Sequence, residues 1–397
     1  MFDLTDPANP VELSKLLPSE AGVFEFYGRA VGISGARAVV SASNDDDNGP
    51  NSGSVYLYDV TDPKTPKLIT LLLPSDGVEQ AHFGWSVDID DEHIVVGAIE
   101  DPGSHFCTGA AYVFDRNTGQ EVAKLLATDG EDGDEFGEAV AVSDGVVIVG
   151  APRDEDAGPF SGSAYLFDAS TGVQLAKLLA DEGREQDRFG GSVAIQGDLA
   201  VVGAWGEDGW YQSCGAVYLF DVSNPTEPVQ VSKFVADDGW FSAYFGISVA
   251  IEGGTVVVGS MGDDDNGHNS GSAYLFDVSD PAVPVQITKL LPSDGFEFDF
   301  FGLVALDGGL ALIGAQGDDD NGESSGSAYV FELSTGAEPC SPADLVVPFG
   351  SLDISDVLAF LEAFVTMEPA SDLAAPLGTF DFSDVVAFLN AFGTGCP

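Results

Sequence analysis

The chain has 397 residues, of which 66 are Asp or Glu and 13 are Lys or Arg, giving a formal net charge of −53 at pH 7. So few cations exclude nucleic acid as a partner, because phosphate binding needs clustered Lys and Arg to displace counterions; anionic membranes and substrates are disfavoured for the same reason. Yet 44% of the residues are hydrophobic and 10% aromatic, so the acid coats a folded chain rather than a disordered one.

The opening residues, MFDLTDPANPVELSK, hold neither a basic stretch nor an apolar one, so no signal peptide is visible. No 18-residue window is apolar throughout, and direct membrane insertion is not expected. Residues 2–19, FDLTDPANPVELSKLLPS, match residues 276–293, FDVSDPAVPVQITKLLPS, position for position. The chain therefore opens inside a repeating unit, at its third strand. Residues 11–17 are expected to supply the outer strand missing beside the three strands of 303–332, closing a ring. A Met1 downstream of the true start would give the same opening, with an export signal or a seventh blade ahead of it.

The unit declares itself from Tyr27 onward. An aromatic-Gly step recurs at Tyr27-Gly28, Phe83-Gly84, Phe136-Gly137, Phe189-Gly190, Phe245-Gly246 and Phe301-Gly302, at intervals of 53 or 56 residues. About fourteen residues after each comes VVSAS, VVGAI, IVGAP, VVGAW, VVGSM or LIGAQ. Next comes SGSVYLYD, TGAAYVFD, SGSAYLFD, CGAVYLFD, SGSAYLFD or SGSAYVFE, and then an apolar run such as AKLLA at 123–127 or TKLLP at 288–292. Four short runs rich in Val, Ile, Leu, Tyr and Phe, separated by Gly, Asp, Asn and Ser, read as four antiparallel strands joined by turns. Six units that cannot each bury both faces predict an all-β, six-bladed β-propeller of four-stranded blades over residues 1–336, or a seven-bladed one if the chain is truncated. The recurring glycines fit tight turns and close packing near a crowded axis.

These landmarks resemble the FG-GAP repeats of the integrin-α-type propeller, with FG, then VGAP at 149–152, then GSAYLF at 162–167. The resemblance implies the fold; the fold serves adhesion, carbohydrate binding and scaffolding alike. The family's calcium loop, a D-x-D-x-D-like turn between the first two strands, is replaced here by short turns in SVDIDDEHIVVG, AVAVSDGVVIVG and SVAIQGDLAVVG. Integrin calcium sites are therefore not expected.

Acid clusters instead between the second and third strands, in NDDDNGPNSG at 44–53, GDDDNGHNSG at 262–271 and GDDDNGESSG at 317–326. Hard oxygen ligands at alternate positions suit calcium, which makes Asp45, Asp46, Asp47, Asn48, Asp263, Asp264, Asp265, Asn266, Asp318, Asp319, Asp320 and Asn321 candidate ligands. The alternative is a turn whose Asp and Asn side chains cap their own backbone. The same propeller face carries Trp205, Trp210 and Tyr211 in one loop, and Trp240, Phe241 and Tyr244 in the next inter-blade loop. Such aromatics can stack on a sugar ring, anchor a protein partner or fill gaps between blades. Cys107 and Cys214 occupy equivalent positions two blades apart, too far to bridge. No nucleophile elbow, zincin motif or P-loop occurs, so no enzyme is expected; the alternatives to a binding protein are a propeller hydrolase acting on glycans and a purely structural scaffold.

Residues 337–397 change character. DLVVPFGSLDISDVLAFLEAF at 344–364 repeats as DLAAPLGTFDFSDVVAFLNAF at 372–392, each copy a loop followed by an amphipathic helix. Val357, Phe360, Leu361 and Phe364, with Val385, Phe388, Leu389 and Phe392, supply the apolar docking faces. Cys340 and Cys396 bracket the pair, and a disulfide between them would staple a small α-helical module in an oxidising compartment. The duplicated loop-helix ending in Gly395-Cys396-Pro397 resembles a GC-type dockerin, a C-terminal module of exported proteins. That resemblance implies a secreted or cell-surface protein, a cohesin-like protein receptor, and calcium held through Asp344, Asp356, Asp372 and Asp384. Val346, Val347, Pro348 and Phe349 fill intervening ligand positions without a side-chain oxygen.

Overall fold

A computed structural model describes residues 1–18, 25–102, 107–208, 213–320, 322 and 324–333. Met1–Asp307 and Ala311–Phe331 form one compact unit; a second comprises Gly308–Leu310 and Glu332–Pro397. The helical module, its docking residues, its acidic positions and the Cys340–Cys396 pair all lie outside the described residues, as do Trp210, Tyr211 and Asn321.

The described residues form an all-β, six-bladed propeller. Blade one runs from the axis outward as Tyr27–Ser34, Arg37–Ala42, Ser54–Asp59 and Lys67–Leu72. Blade two is Val87–Ile89, His93–Ala98, Ala110–Asp115 and Glu121–Leu125. Blade three is Val140–Ser143, Val146–Ala151, Ser163–Asp168 and Gln174–Leu178. Blade four is Phe189–Gln196, Leu199–Ala204, Ala216–Asp221 and Val229–Phe234. Blade five is Phe245–Glu252, Thr255–Ser260, Ser272–Asp277 and Val285–Leu290. Blade six has three strands, Phe301–Asp307, Leu310–Ala315 and Ser327–Glu332. First strands of consecutive blades touch, which places them around the axis.

The core lies between blades rather than within them. In blades one to four, one face of the second and third strands packs on the next blade: Ile148, Ala164 and Leu166 of blade three meet Phe189, Ala200, Val202 and Tyr218 of blade four. In blades two to six the aromatic of the aromatic-Gly step sits edge-on to the Tyr and Phe of its own third strand, as Phe189 does to Tyr218 at 5.3 Å and Phe220 at 6.0 Å. The glycines explain why the landmarks recur. A Cβ on Gly203 would strike the main chain of Gly246, and one on Gly215 would strike the main chain of Phe245, so neighbouring blades touch backbone to backbone there. Gly109, Gly162, Gly215 and Gly271 each form a parallel bridge to the aromatic of the next blade.

At the N-terminus the structure differs from the expected pairing. Val11–Glu12 pair with Phe2–Asp3 as a two-stranded sheet, Phe2 opposite Glu12 and Asp3 opposite Val11. They do not pair with Ser327–Glu332. The reason is that Phe2-Asp3 repeats the end of a third strand, so the segment carries its own partner: Phe276 opposite Gln286 and Asp277 opposite Val285 are the same register in blade five. Met1 and Leu16 cover Ala38, Val40 and Tyr56 of blade one. No helix among the described residues is long and apolar enough to cross a membrane.

Candidate functional site

Where acid is buried, the structure gives it a structural partner. Each loop between second and third strands contributes one buried acid: Asp45, Asp101, Asp154, Glu207, Asp263 or Asp318. The third-strand tyrosine hydroxyl donates to it in every blade, at 2.9 Å from Tyr274 to Asp263 and 2.7 Å from Tyr165 to Asp154. In blades two to five a fourth-strand lysine completes the group. Lys289 lies 2.9 Å from Asp263, 2.7 Å from Asp265 and 2.8 Å from Asp238; Lys177 lies 2.9 Å from Asp154, 2.6 Å from Asp156 and 2.9 Å from Asp129. Lys124 and Lys233 repeat the arrangement on Asp76 and Asp101, and on Glu207. Four of the seven lysines are thus committed to these clamps. Burial raises the tyrosine pKa values well above the ordinary range; hydrogen bonds to carboxylates and tyrosine raise those of Lys177 and Lys289 against the opposing effect of burial.

In the DDDNG loops the acids accept hydrogen bonds from their own backbone. Asp45, Asp263 and Asp318 accept the N–H two residues on, and Asp46, Asp264 and Asp319 accept the N–H five residues on. In blade five, Lys289 holds the position between Asp263 and Asp265 that a cation would take. The side chains of Asn48 and Asn266 donate to Pro74 and Pro292. Among the described residues no three His, Cys, Asp or Glu side chains are grouped to hold a metal. Cys107 carries a free thiol, so it is not bridged to Cys214.

The chemistry that varies between blades lies at the mouth of the axis. The residue before each aromatic-Gly step is left-handed in all six blades, with φ of 53° to 58° at Phe26, His82, Glu135, Arg188, Tyr244 and Phe300. Non-glycine residues rarely adopt that conformation, and here it recurs where side chain identity is free to change. The residue after the step varies as freely, and so does the one following each second strand: Ser43, Ile99, Pro152, Trp205, Met261 and Gln316.

Together these positions form a belt. Arg29 stacks on Trp85 at 3.5 Å, and the Trp85 indole favours the charged form of Glu138 of blade three. The Arg153 Nε lies 2.8 Å from Glu135, and Arg153 and Arg188 flank Phe160 at 5.9 and 4.9 Å. Arg188 continues to Trp205 at 5.3 Å, and Trp205 meets Tyr244 edge-on at 5.7 Å. A Cβ on Gly191 would collide with the Trp205 indole, so that glycine makes room for it. Burial pushes the Glu138 carboxyl up, opposed by the Trp85 indole and by Arg29, Arg153 and Arg188; burial raises Glu135 as well, against Arg153. Three of the six arginines of a strongly acidic chain are gathered in this belt.

Of the aromatic residues singled out in the sequence, the structure brings Trp205 and Tyr244 together and leaves Trp240 and Phe241 exposed, at 58% and 52%. Reading single motifs misses Arg29, Trp85, Glu138, Arg153 and Arg188. Aligning the six repeats against each other and marking where they disagree would have found them.

Six stretches, 10–58, 69–114, 120–167, 173–220, 228–276 and 284–331, match the FG-GAP repeat. The chain belongs to the FG-GAP repeat family. No curated protein matches it. Among solved structures, the FG-GAP chain is similar to the computationally designed Ika8 protein, at 16% identity and a TM-score of 0.45, over 77% of this chain and 70% of that one.

Proposed function

We propose that the chain is a non-enzymatic binding protein, exported or held at a cell surface, whose axial belt takes a glycan and whose C-terminal module docks to a cohesin-like receptor. The belt carries the reading: Trp85, Trp205 and Tyr244 offer faces for sugar rings, while Arg29, Arg153, Arg188, Glu135 and Glu138 offer donors and acceptors for hydroxyl groups. A rigid propeller presenting variable side chains on repeated backbone positions suits recognition better than bond breaking, which needs one dedicated acid and base.

A glycan array probed with the full chain tests this. Retention of a glycan that is lost in Trp205→Ala and in Arg188→Ala supports it; an empty array sinks it, and release of sugar on incubation makes the protein a hydrolase instead. A second reading, a protein ligand, is favoured by exposed Trp240 and Phe241 beside the belt. Pull-down from an envelope fraction, comparing the full chain with one ending at residue 336 and run with and without calcium, tests the tether and its proposed metal together.

A further inference from the structure

Three of the six arginines stand beside a carboxylate: Arg37 lies 3.6 Å from Asp59, Arg116 lies 3.0 Å from Asp91 and Arg153 lies 2.8 Å from Glu135. Arg184 is exposed to solvent outside the belt. Arg29 and Arg188 lie in the belt with no carboxylate at ion-pair distance among the described residues, in a chain with 66 acidic side chains to offer. Aromatic rings hold them instead. Arg29 stacks on the Trp85 indole at 3.5 Å; Arg188 meets the Phe160 ring at 4.9 Å and the Trp205 indole at 5.3 Å.

Stacking leaves the recognition edge free. A guanidinium laid on a ring uses its face, while its N–H groups point outward in the plane as a rigid fork. That fork matches the paired oxygens of a carboxylate or a sulfate ester. Among the described residues neither guanidinium donates a hydrogen bond. The Arg188 charge is also poorly compensated where it stands. Burial, and then Arg153 on the other flank of Phe160, push its pKa down; Glu135 and Glu138 act against them from a distance and offset only part. An anion bound at Arg188 relieves that repulsion, and a neutral hydroxyl does not. A neutral glycan gives no reason for the arrangement, because sugar hydroxyls also donate to carboxylates, which this chain has in excess.

We infer that the glycan taken by the belt is acidic, its carboxylate or sulfate groups seated on the N–H edges of Arg188 and Arg29 and its rings against the adjoining indoles. The inference rests on the reading of the belt as a glycan site. Guanidinium and indole recur as adjoining pairs, Arg29 with Trp85 and Arg188 with Trp205, which suits a polymer presenting a ring and a charge in each unit. An acidic peptide presents the charge without the ring. The net charge of −53, which disfavours anions over the surface as a whole, is reversed locally: the belt sets Arg29, Arg153 and Arg188 against Glu135 and Glu138. At about 0.15 M salt the Debye length is about 8 Å, so remote surface acid is screened while direct contacts persist.

The test is an array of uronate-, sialic acid- and sulfate-bearing glycans beside their neutral counterparts, probed with the full chain at about 0.15 M salt. The best ligand is then titrated by calorimetry before and after its carboxyl groups are reduced or its sulfates removed. Retention confined to acidic glycans is expected, and whether carboxylated or sulfated members are kept identifies the anion. Removing that charge, or Arg188→Gln, is expected to weaken binding about tenfold to a hundredfold, as the loss of a charge-assisted hydrogen-bonded pair does. Arg188→Lys should recover part of the loss, and Arg37→Gln, outside the belt, should leave affinity unchanged. An unchanged Tm is expected in Arg188→Gln, and Arg29→Gln repeats the measurement if that variant does not fold. Neutral glycans bound as tightly as acidic ones overturn the inference and leave the belt a glycan site. An array that retains no glycan overturns that reading as well. Polyglutamate bound as tightly as the best glycan also overturns the inference, and assigns the arginines to an acidic peptide.

Discussion

Blades five and six are nearly the same text: GDDDNG loops, then SGSAYLFD in one and SGSAYVFE in the other. In blade five the third strand is buried along Ser272–Phe276 and its acid is clamped by Lys289; in blade six Ala328 is exposed and Asp318 has a tyrosine but no lysine. The difference teaches that a blade's burial and electrostatics are supplied by its successor and by a fourth strand, not by its own sequence. A buried carboxylate keeps its charge cheaply only with a cation beside it.

The comparison breaks first at the lysine. Lys289→Met leaves Asp263 buried beside Asp238 and Asp265 without a cation and is expected to cost about 3–5 kcal/mol in chemical denaturation; adding Asp263→Asn should restore part of the loss. Gly259→Ala comes next. Its Cβ strikes the backbone of Gly302, and the forced separation of blades is expected to cost about 2–3 kcal/mol. Tyr274→Phe removes one donor shared by Asp238 and Asp263, at about 1–2 kcal/mol, and sharpens how much of the clamp is hydrogen bond rather than ion pair.

The smallest effect concerns pH. Asp88, in the inner strand of blade two, accepts the Val142 N–H of blade three at 2.8 Å, yet burial raises its carboxyl pKa to about 6. The native state then holds this proton between the ordinary carboxylate value and about 6, so its contribution to stability falls as pH rises through that window. Asp88→Asn keeps the acceptor and removes the charge. It is expected to gain on the order of 1–2 kcal/mol at pH 7 and nothing near pH 4, read as the difference in Tm between the two pH values. Asp154 and Asp238 behave oppositely. Hydrogen bonds from Lys177, Lys289 and the tyrosines outweigh burial and lower both, and their contributions are lost as pH falls through their native values.

Much of the propeller was legible. Six aromatic-Gly steps, five second strands carrying a glycine before their last residue, and six near-identical third strands set the number of blades, because at most of these landmarks neighbouring backbones approach too closely for a Cβ. The belt was legible in part: Trp205 and Tyr244 stand out in the sequence as aromatic residues in loops. Arg29, Trp85, Glu138 and Arg188 were not, because each comes from a different blade and is a lone residue until the inner strands bring them round one axis. The lysine partners of the acidic loops were out of reach for the same reason. In sequence Asp263 and Asp265 look like free ligands, and Lys289, some two dozen residues away, is what occupies them.

By itself, then, the sequence determined a repeat, its strands, and a strongly negative net charge, since these depend on local spacing and on summed charge. Only the tertiary structure decided which acids carry lysines, which aromatics meet arginines, and which blade faces lie bare. Those outcomes depend on groups from separate repeats meeting across a blade interface, and no local pattern encodes that meeting.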